Sequence, residues 1–67
     1  MEGIVDRYSE QKGFGFIVAQ DDGREVAFHR SAIMMNGYKT LSGGDRVRFD
    51  VDETVRGLEA KNIQKLS

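Results

Sequence analysis

The sequence predicts an all-β domain whose five short strands close into a small barrel. Its clearest pattern is the alternation of apolar and polar residues at Val47, Phe49 and Val51, which is typical of a strand with one buried face. No long segment shows helical periodicity, and the breaks between strand-like runs are glycine or polar turns, because proline is absent. Barrel closure removes the exposed edges of a sheet, although composition alone also allows a small open sheet or an SH3-like barrel.

Turn signals divide the chain into its strands. Residues 21–23 (Asp-Asp-Gly) predict a tight hairpin, residues 43–45 (Gly-Gly-Asp) introduce the fourth strand, and residues 56–57 (Arg-Gly) precede the last one. Residues 31–35 are expected to form a single helical turn that opens a longer loop to Ser42. The strands are predicted at about residues 2–9, 13–20, 24–29, 45–53 and 58–66. The side chains expected in the core are Val5, Ile17, Val26, Phe28, Ile33, Val47, Phe49, Val51, Ala60 and Ile63.

Length and composition exclude several classes of protein. The 67 residues suffice for one domain, residues 1–67, and the absence of cysteine excludes disulfides and thiolate chemistry. No apolar run approaches the ~20 residues that span a bilayer, and no signal-like segment precedes Gly3, so we expect a cytoplasmic protein without membrane contact. The single histidine and the 11 carboxylates show no nucleophile, metal-ligand or phosphate-loop spacing. We therefore expect no enzyme, no metal and no cofactor.

The charges are unevenly distributed along the chain, although the net charge is only −1. The carboxylates fall mainly in turns and on the later strands, whereas several cations fall at or beside the aromatic motifs described below. This distribution predicts a locally basic face on an acidic protein. Such a face is expected to bind a polyanion with modest affinity and a strong dependence on salt.

Residues 12–17 (KGFGFI) are the most informative motif of the chain. Successive side chains of an extended strand point to opposite faces, so Phe14 and Phe16 stand on one face and the glycines on the other. Paired aromatics in a strand are usually core, but other apolar residues already fill that role here. Two rings outside the core, beside Lys12, favour a platform on which flat nucleobases stack.

The third strand repeats this arrangement in residues 26–30 (VAFHR). Alternation places Val26 and Phe28 on one face and Ala27 and His29 on the opposite one. Phe28 is therefore expected in the core. Alternation places His29 away from the core, where it is either a ligand contact or an exposed histidine without a role.

These motifs resemble those of the bacterial cold-shock proteins. The resemblance covers, without large gaps, residues 3–5, 12–17, 26–30, 31–33, 36–41, 47–51 and 60–63. It implies a five-stranded antiparallel oligonucleotide-binding (OB) barrel that binds single-stranded RNA or DNA. It further implies that Phe14, Phe16 and His29 occupy the centre of the binding surface, and that the ring of Tyr38 closes over a base at its edge. The remaining candidate contacts are mostly cations that would hold the phosphates: Arg7, Lys12, Arg30, Lys39 and Arg56.

The chain also departs from the family's pattern. Arg7 and Tyr8 stand where the family usually has an aromatic pair; both are candidate contacts, and alternation does not decide which faces the ligand. Ala27 and Arg30 replace two phenylalanines, and Leu58 replaces a proline. Each lost ring removes about 1–3 kcal/mol of base stacking. Arginine compensates in part, because its planar guanidinium stacks on bases and attracts phosphate. We therefore expect weaker binding with a larger electrostatic share.

Two functions from different classes are compatible with these residues. The first is an RNA chaperone, which traps unpaired bases and thereby shifts RNA structure toward the melted form without ATP. The second is a protein-interaction or oligomerisation module on the same barrel, which the reduced platform and the adjacent Met34 and Met35 suggest. A monomer or a weak homodimer is expected in either case.

Overall fold

Five strands and one 3₁₀ turn make up the computed structural model, which describes residues 1–34 and 41–66. The predicted strands agree with the observed bounds to within one residue at each end. The helical turn predicted at residues 31–35 is a 3₁₀ turn that begins one residue earlier. The strands are β1 (Glu2–Ser9), β2 (Phe14–Ala19), β3 (Glu25–His29), β4 (Arg46–Thr54) and β5 (Gly57–Lys65), and the 3₁₀ turn spans Arg30–Ala32.

The strands close into a barrel in the order β1-β2-β3-β5-β4, with β4 paired back onto β1. The predicted barrel is thereby confirmed, with one correction: β3 and β5 are parallel, whereas the other neighbours are antiparallel. A ring with an odd number of strands cannot alternate direction all the way round. One parallel contact is therefore unavoidable, and it brings Ala27 of β3 opposite Glu59 of β5.

The core is built from the inward faces of all five strands. Nine of the ten predicted core residues are buried, and Val51 is half-buried. Ala19 and Leu41 are also buried but were not predicted. Ala19 is the last residue of β2, and Leu41 lies outside the strands, where side-chain alternation makes no prediction. The largest fully buried side chain is Phe49, and Ile33 joins the barrel through a bridge to Ile63.

The turn between β2 and β3 is a hairpin, as predicted for residues 21–23. Gly23 has φ +74°, a conformation that glycine adopts without steric cost. The backbone N–H of Arg24 donates to a carboxylate oxygen of Asp22 at 3.0 Å, and the Arg24 guanidinium pairs with the same carboxylate. These interactions, the backbone hydrogen bond first, lower the pKa of Asp22 below its ordinary value.

A β-bulge in β1 decides which side chains of this strand face outward. Val5 pairs with Ile17, but the next pair is Arg7 with Phe16, so Asp6 is an extra residue in β1. Side chains directly opposite each other share a face, and Arg7 therefore lies on the outer face with Phe16. Tyr8 turns inward, where its ring stacks on Phe28 at a centroid distance of 5.5 Å.

The inward position of Tyr8 leaves its hydroxyl oxygen buried, with no hydrogen-bond partner among residues 1–34 and 41–66. A buried polar group without a partner costs on the order of 1–3 kcal/mol. Tyr8→Phe keeps the ring stacked on Phe28 and removes the hydroxyl, so we expect the free energy of unfolding to rise by about 1 kcal/mol. Urea denaturation would measure the change. A lower stability of Tyr8→Phe would mean that the hydroxyl is hydrogen-bonded in solution.

Candidate nucleic-acid interface

The two rings of the predicted platform lie outside the core. Phe14 is 55% exposed and Phe16 is half-buried. Gly13, which precedes Phe14, and Gly15, which lies between the two rings, are buried. Gly15 lets β2 approach the interior closely, since a Cβ at this position would lie 2.6 Å from the Phe28 ring. The glycines thus pack the inner face of β2 and leave the outer face to the rings. The predicted facing of Phe14 and Phe16 is confirmed.

His29 lies directly across the β2–β3 pairing from Phe14. The two rings meet edge to face, with centroids 4.9 Å apart and planes inclined by 69°. The Nδ1 atom of His29 accepts a hydrogen bond from the Ser31 N–H at 3.1 Å. When Nδ1 accepts a hydrogen bond, the proton of a neutral histidine is on Nε2. The exposed side chain of His29 therefore offers an Nε2–H donor.

Arg7 covers part of the platform. Its guanidinium carbon lies 4.5 Å from the centroid of the Phe16 ring, within the range of a cation–π interaction. The same guanidinium is 3.9 Å from the Asp6 carboxylate in an exposed ion pair, which is worth little in solution. Arg7 can therefore remain on the Phe16 ring or move to a phosphate at small cost.

Three further cations surround the two rings. Lys12 lines a groove of about 310 Å³ together with Arg7, Phe14 and Phe16. Arg30 donates its backbone N–H to the Gly13 carbonyl at 2.7 Å, which holds this residue at the start of β2. Arg56, in the turn between β4 and β5, lines a second pocket together with Phe14.

The charges of the described residues are unequal on the two sides of the barrel. Lys12, Arg30 and Arg56 have no carboxylate within 4.0 Å among residues 1–34 and 41–66. Away from the rings, Arg46 and Arg48 pair with Glu2, Lys65 with Asp45, and Arg24 with Asp22, whereas Lys61 has no such partner among the described residues. Three of the four described Lys and Arg side chains without a carboxylate partner therefore lie next to the aromatic side chains, in the sense that the distribution of charges along the sequence predicts.

The structure brings most of the predicted contact residues onto one surface, which we call the platform face: Arg7, Lys12, Phe14, Phe16, His29, Arg30 and Arg56. Ala27, which stands at the position of a lost ring, lies on the same face. Tyr8 is the exception, because its ring stacks toward the core on Phe28. The predicted contacts Tyr38 and Lys39, and Met35 of the methionine pair, lie outside the described residues. Contact with a ligand stays a prediction for each of these side chains.

One residue of this surface was missed by the sequence reasoning. Glu59 is half-buried and lines the same pocket as Phe14, Ala27, His29 and Arg56. Arg56 is the one lining residue close to Glu59 in the sequence, and the others come from β2 and β3, so no local motif marks Glu59. The parallel pairing of Glu59 with Ala27 places it there.

A five-stranded closed barrel with an aromatic and basic outer face defines an OB-type nucleic-acid-binding domain. Comparison with known proteins gives the family. The sequence model described as the "'Cold-shock' DNA-binding domain" matches residues 1–66, and the chain belongs to this cold-shock family. The family consists of non-enzymatic nucleic-acid-binding proteins, so the chain binds nucleic acid, single strands included, and the expectation that it is not an enzyme is confirmed.

Similar proteins are known from several bacteria. The chain is 48% identical over 66 residues to the major cold shock protein of Streptococcus pyogenes serotype M1, covering 98% of this chain and 97% of the relative. It is 46% identical to the cold shock-like protein CspC of Bacillus cereus over 66 residues, covering 98% and 100%. The identity to the cold shock-like protein CspE of Escherichia coli K12 is 43% over 63 residues, covering 94% and 91%.

A solved structure shares the fold. The chain superposes on part of the structure titled drosophila Unr CSD456 with a TM-score of 0.81 at 24% identity. The superposition covers 98% of this chain and 26% of that chain. Among residues 1–34 and 41–66, no helix has the length and apolar character needed to cross a membrane. The same residues contain no group of three or more His, Cys, Asp or Glu side chains that could hold a metal ion.

Proposed function

We propose that this chain, as a single cold-shock-like domain, is a cytoplasmic RNA chaperone that binds unpaired segments of RNA, and of DNA, as a monomer or weak homodimer. The observation that supports this function best is the exposed ring of Phe14, which meets His29 edge to face. Beside it lie Lys12 and Arg56, which have no carboxylate within 4.0 Å among residues 1–34 and 41–66. Any base presents a π face to such a ring, so recognition tolerates many sequences. The cations attract the backbone to the same surface.

The proposed mechanism is a shift of an equilibrium. Bases that are paired and stacked in a duplex cannot lie on Phe14 and Phe16, so the platform face selects the open strand. Binding withdraws open strands from their equilibrium with folded RNA. More RNA then melts to replace them, by mass action. No ATP is needed. The effect is limited by the difference between the affinities for open and paired RNA.

The affinity is expected to depend strongly on salt. With about three to five phosphate contacts, the slope of log K against log salt for a single strand should be about −2 to −3.5. Fluorescence anisotropy of a labelled oligothymidine, titrated at several salt concentrations, would measure this slope. An affinity that is nearly flat between low and moderate salt would contradict the electrostatic part of the proposal.

The chaperone activity is tested by a separate measurement. An RNA hairpin labelled with a fluorophore and a quencher should brighten as the protein is added, and a DNA duplex of equal length should bind more weakly than the single strand. Binding of the single strand without opening of the hairpin would retain binding and reject the chaperone role. No saturable binding of either strand at low salt would favour the protein-interaction module, toward which the 53% exposure of Met34 points.

A further inference from the structure

We propose that Glu59 makes this domain select guanine at one position of the bound strand. The inference rests on the proposed function, and it concerns the pocket between β3 and β5 on the platform face. This pocket measures about 220 Å³ and is lined by Phe14, Ala27, Phe28, His29, Arg56 and Glu59. Sites for drug-sized ligands usually measure about 300–1,000 Å³, and a single base is smaller than such a ligand.

The pocket depends on the small side chain of Ala27. Ala27 pairs with Phe16 on one side and with Glu59 on the other, so it lies at the centre of the outer surface of the barrel. Its methyl group leaves open the space above the buried ring of Phe28, and an aromatic side chain would fill that space. The exposed ring of Phe14 provides one wall on which a base can stack.

The polar groups of the pocket are complementary to guanine. The Glu59 carboxylate accepts hydrogen bonds and donates none. Its one described hydrogen bond is a long one from the Thr54 hydroxyl, at 3.5 Å, so acceptor sites remain available. Among residues 1–34 and 41–66, no cation lies within 4.0 Å of this carboxylate, although Arg56 lines the same pocket.

Guanine presents the N1–H and the N2 amino group side by side on its Watson–Crick edge, which matches the two oxygens of one carboxylate. Its O6 and N7 are acceptors, and Arg56 and the Nε2–H of His29 are donors in the same pocket. Thymine and uracil have a single N3–H between two carbonyl oxygens, and these oxygens would be repelled by the carboxylate. Adenine and cytosine offer one amino group each, so guanine is the base that satisfies both carboxylate oxygens.

The test uses labelled hexanucleotides and the full chain. The probes are hexathymidine, the six hexamers that carry one guanine each in a thymidine background, and the same six with inosine, which lacks the 2-amino group. We expect the best single-guanine hexamer to bind about tenfold more tightly than hexathymidine, in the range of a bidentate base contact. The matching inosine hexamer should lose most of this preference.

Three variants examine the cause of this preference. Glu59→Gln should reduce the preference for guanine to about threefold or less while binding hexathymidine at least as tightly as the wild type. Glu53→Gln removes the same charge from an exposed position outside the pocket, and it should keep the wild-type preference. Ala27→Phe fills the pocket with a stacking ring, and it should also lose the preference while binding hexathymidine more tightly.

The outcomes separate the inference from the function on which it rests. Equal binding of guanine, inosine and thymidine hexamers by the wild type would overturn the guanine site and leave single-strand binding intact. The same loss of preference in Glu59→Gln and Glu53→Gln would also overturn it, because net charge would then explain the effect. Failure of every hexamer to bind at low salt would overturn the proposed function itself.

Discussion

Replacing Phe14 and Phe16 together by alanine is expected to abolish single-strand binding while the fold persists. Each base stacked on an aromatic ring contributes about 1–3 kcal/mol, so two rings account for at least about a thirtyfold change in affinity. Phe14 is 55% exposed and Phe16 is half-buried beneath Arg7, so neither ring belongs to the core. Anisotropy titration with oligothymidine at low salt would measure the loss, and circular dichroism would monitor the fold.

Ile4→Ala is a matched control for this double variant. Ile4 is also an apolar strand residue with an exposed side chain, 46% exposed, but it pairs with Val18 and lines a different groove. Its removal should leave the affinity within about twofold of the wild type. If Phe14→Ala with Phe16→Ala unfolds the protein, the rings contribute to the core in solution. If that variant folds and binds like the wild type, base stacking does not hold the strand on this face.

Gly15→Ala is expected to cause a large loss of stability. The new Cβ would lie 2.6 Å from the carbonyl oxygen of Arg7 and 2.6 Å from the Phe28 ring. The ring could shift, but the carbonyl belongs to the backbone of the neighbouring strand. Overpacking of this kind costs about 1–3 kcal/mol or more, and a domain of this size melts about 4–8 °C lower per kcal/mol. We expect the melting temperature to fall by about 10–20 °C.

Gly23→Ala separates the steric cost of an added Cβ from the backbone cost of a positive φ. A Cβ at Gly23 meets nothing within 4 Å, but φ is +74°, so this variant carries only the backbone cost of about 1–2 kcal/mol. Thermal denaturation of both variants would compare the two costs. A Gly15→Ala variant that melts at the temperature of the wild type would show that β2 does not pack closely on Phe28, and the separation of rings from core would lose its structural basis.

Local alternation was sufficient to predict most of the fold and the centre of the site. The strand bounds, the hairpin after β2 and the inward position of Phe28 follow from side-chain periodicity and turn residues, both of which are properties of neighbouring residues. The outward position of Phe14 follows in the same way. These features depend on the chain only over a few residues, and for that reason the sequence by itself determined them.

Pairing between strands decided the rest. Alternation cannot show that Arg7 faces outward and Tyr8 inward, because the bulge at Asp6 depends on which atoms of β1 and β2 meet. The parallel contact of β3 with β5 follows from closing five strands into a ring, and it alone brings Glu59 beside Ala27. The sequence determined the aromatic strip, whereas the tertiary structure decided which charged groups surround it, because those groups are neighbours in space and not along the chain.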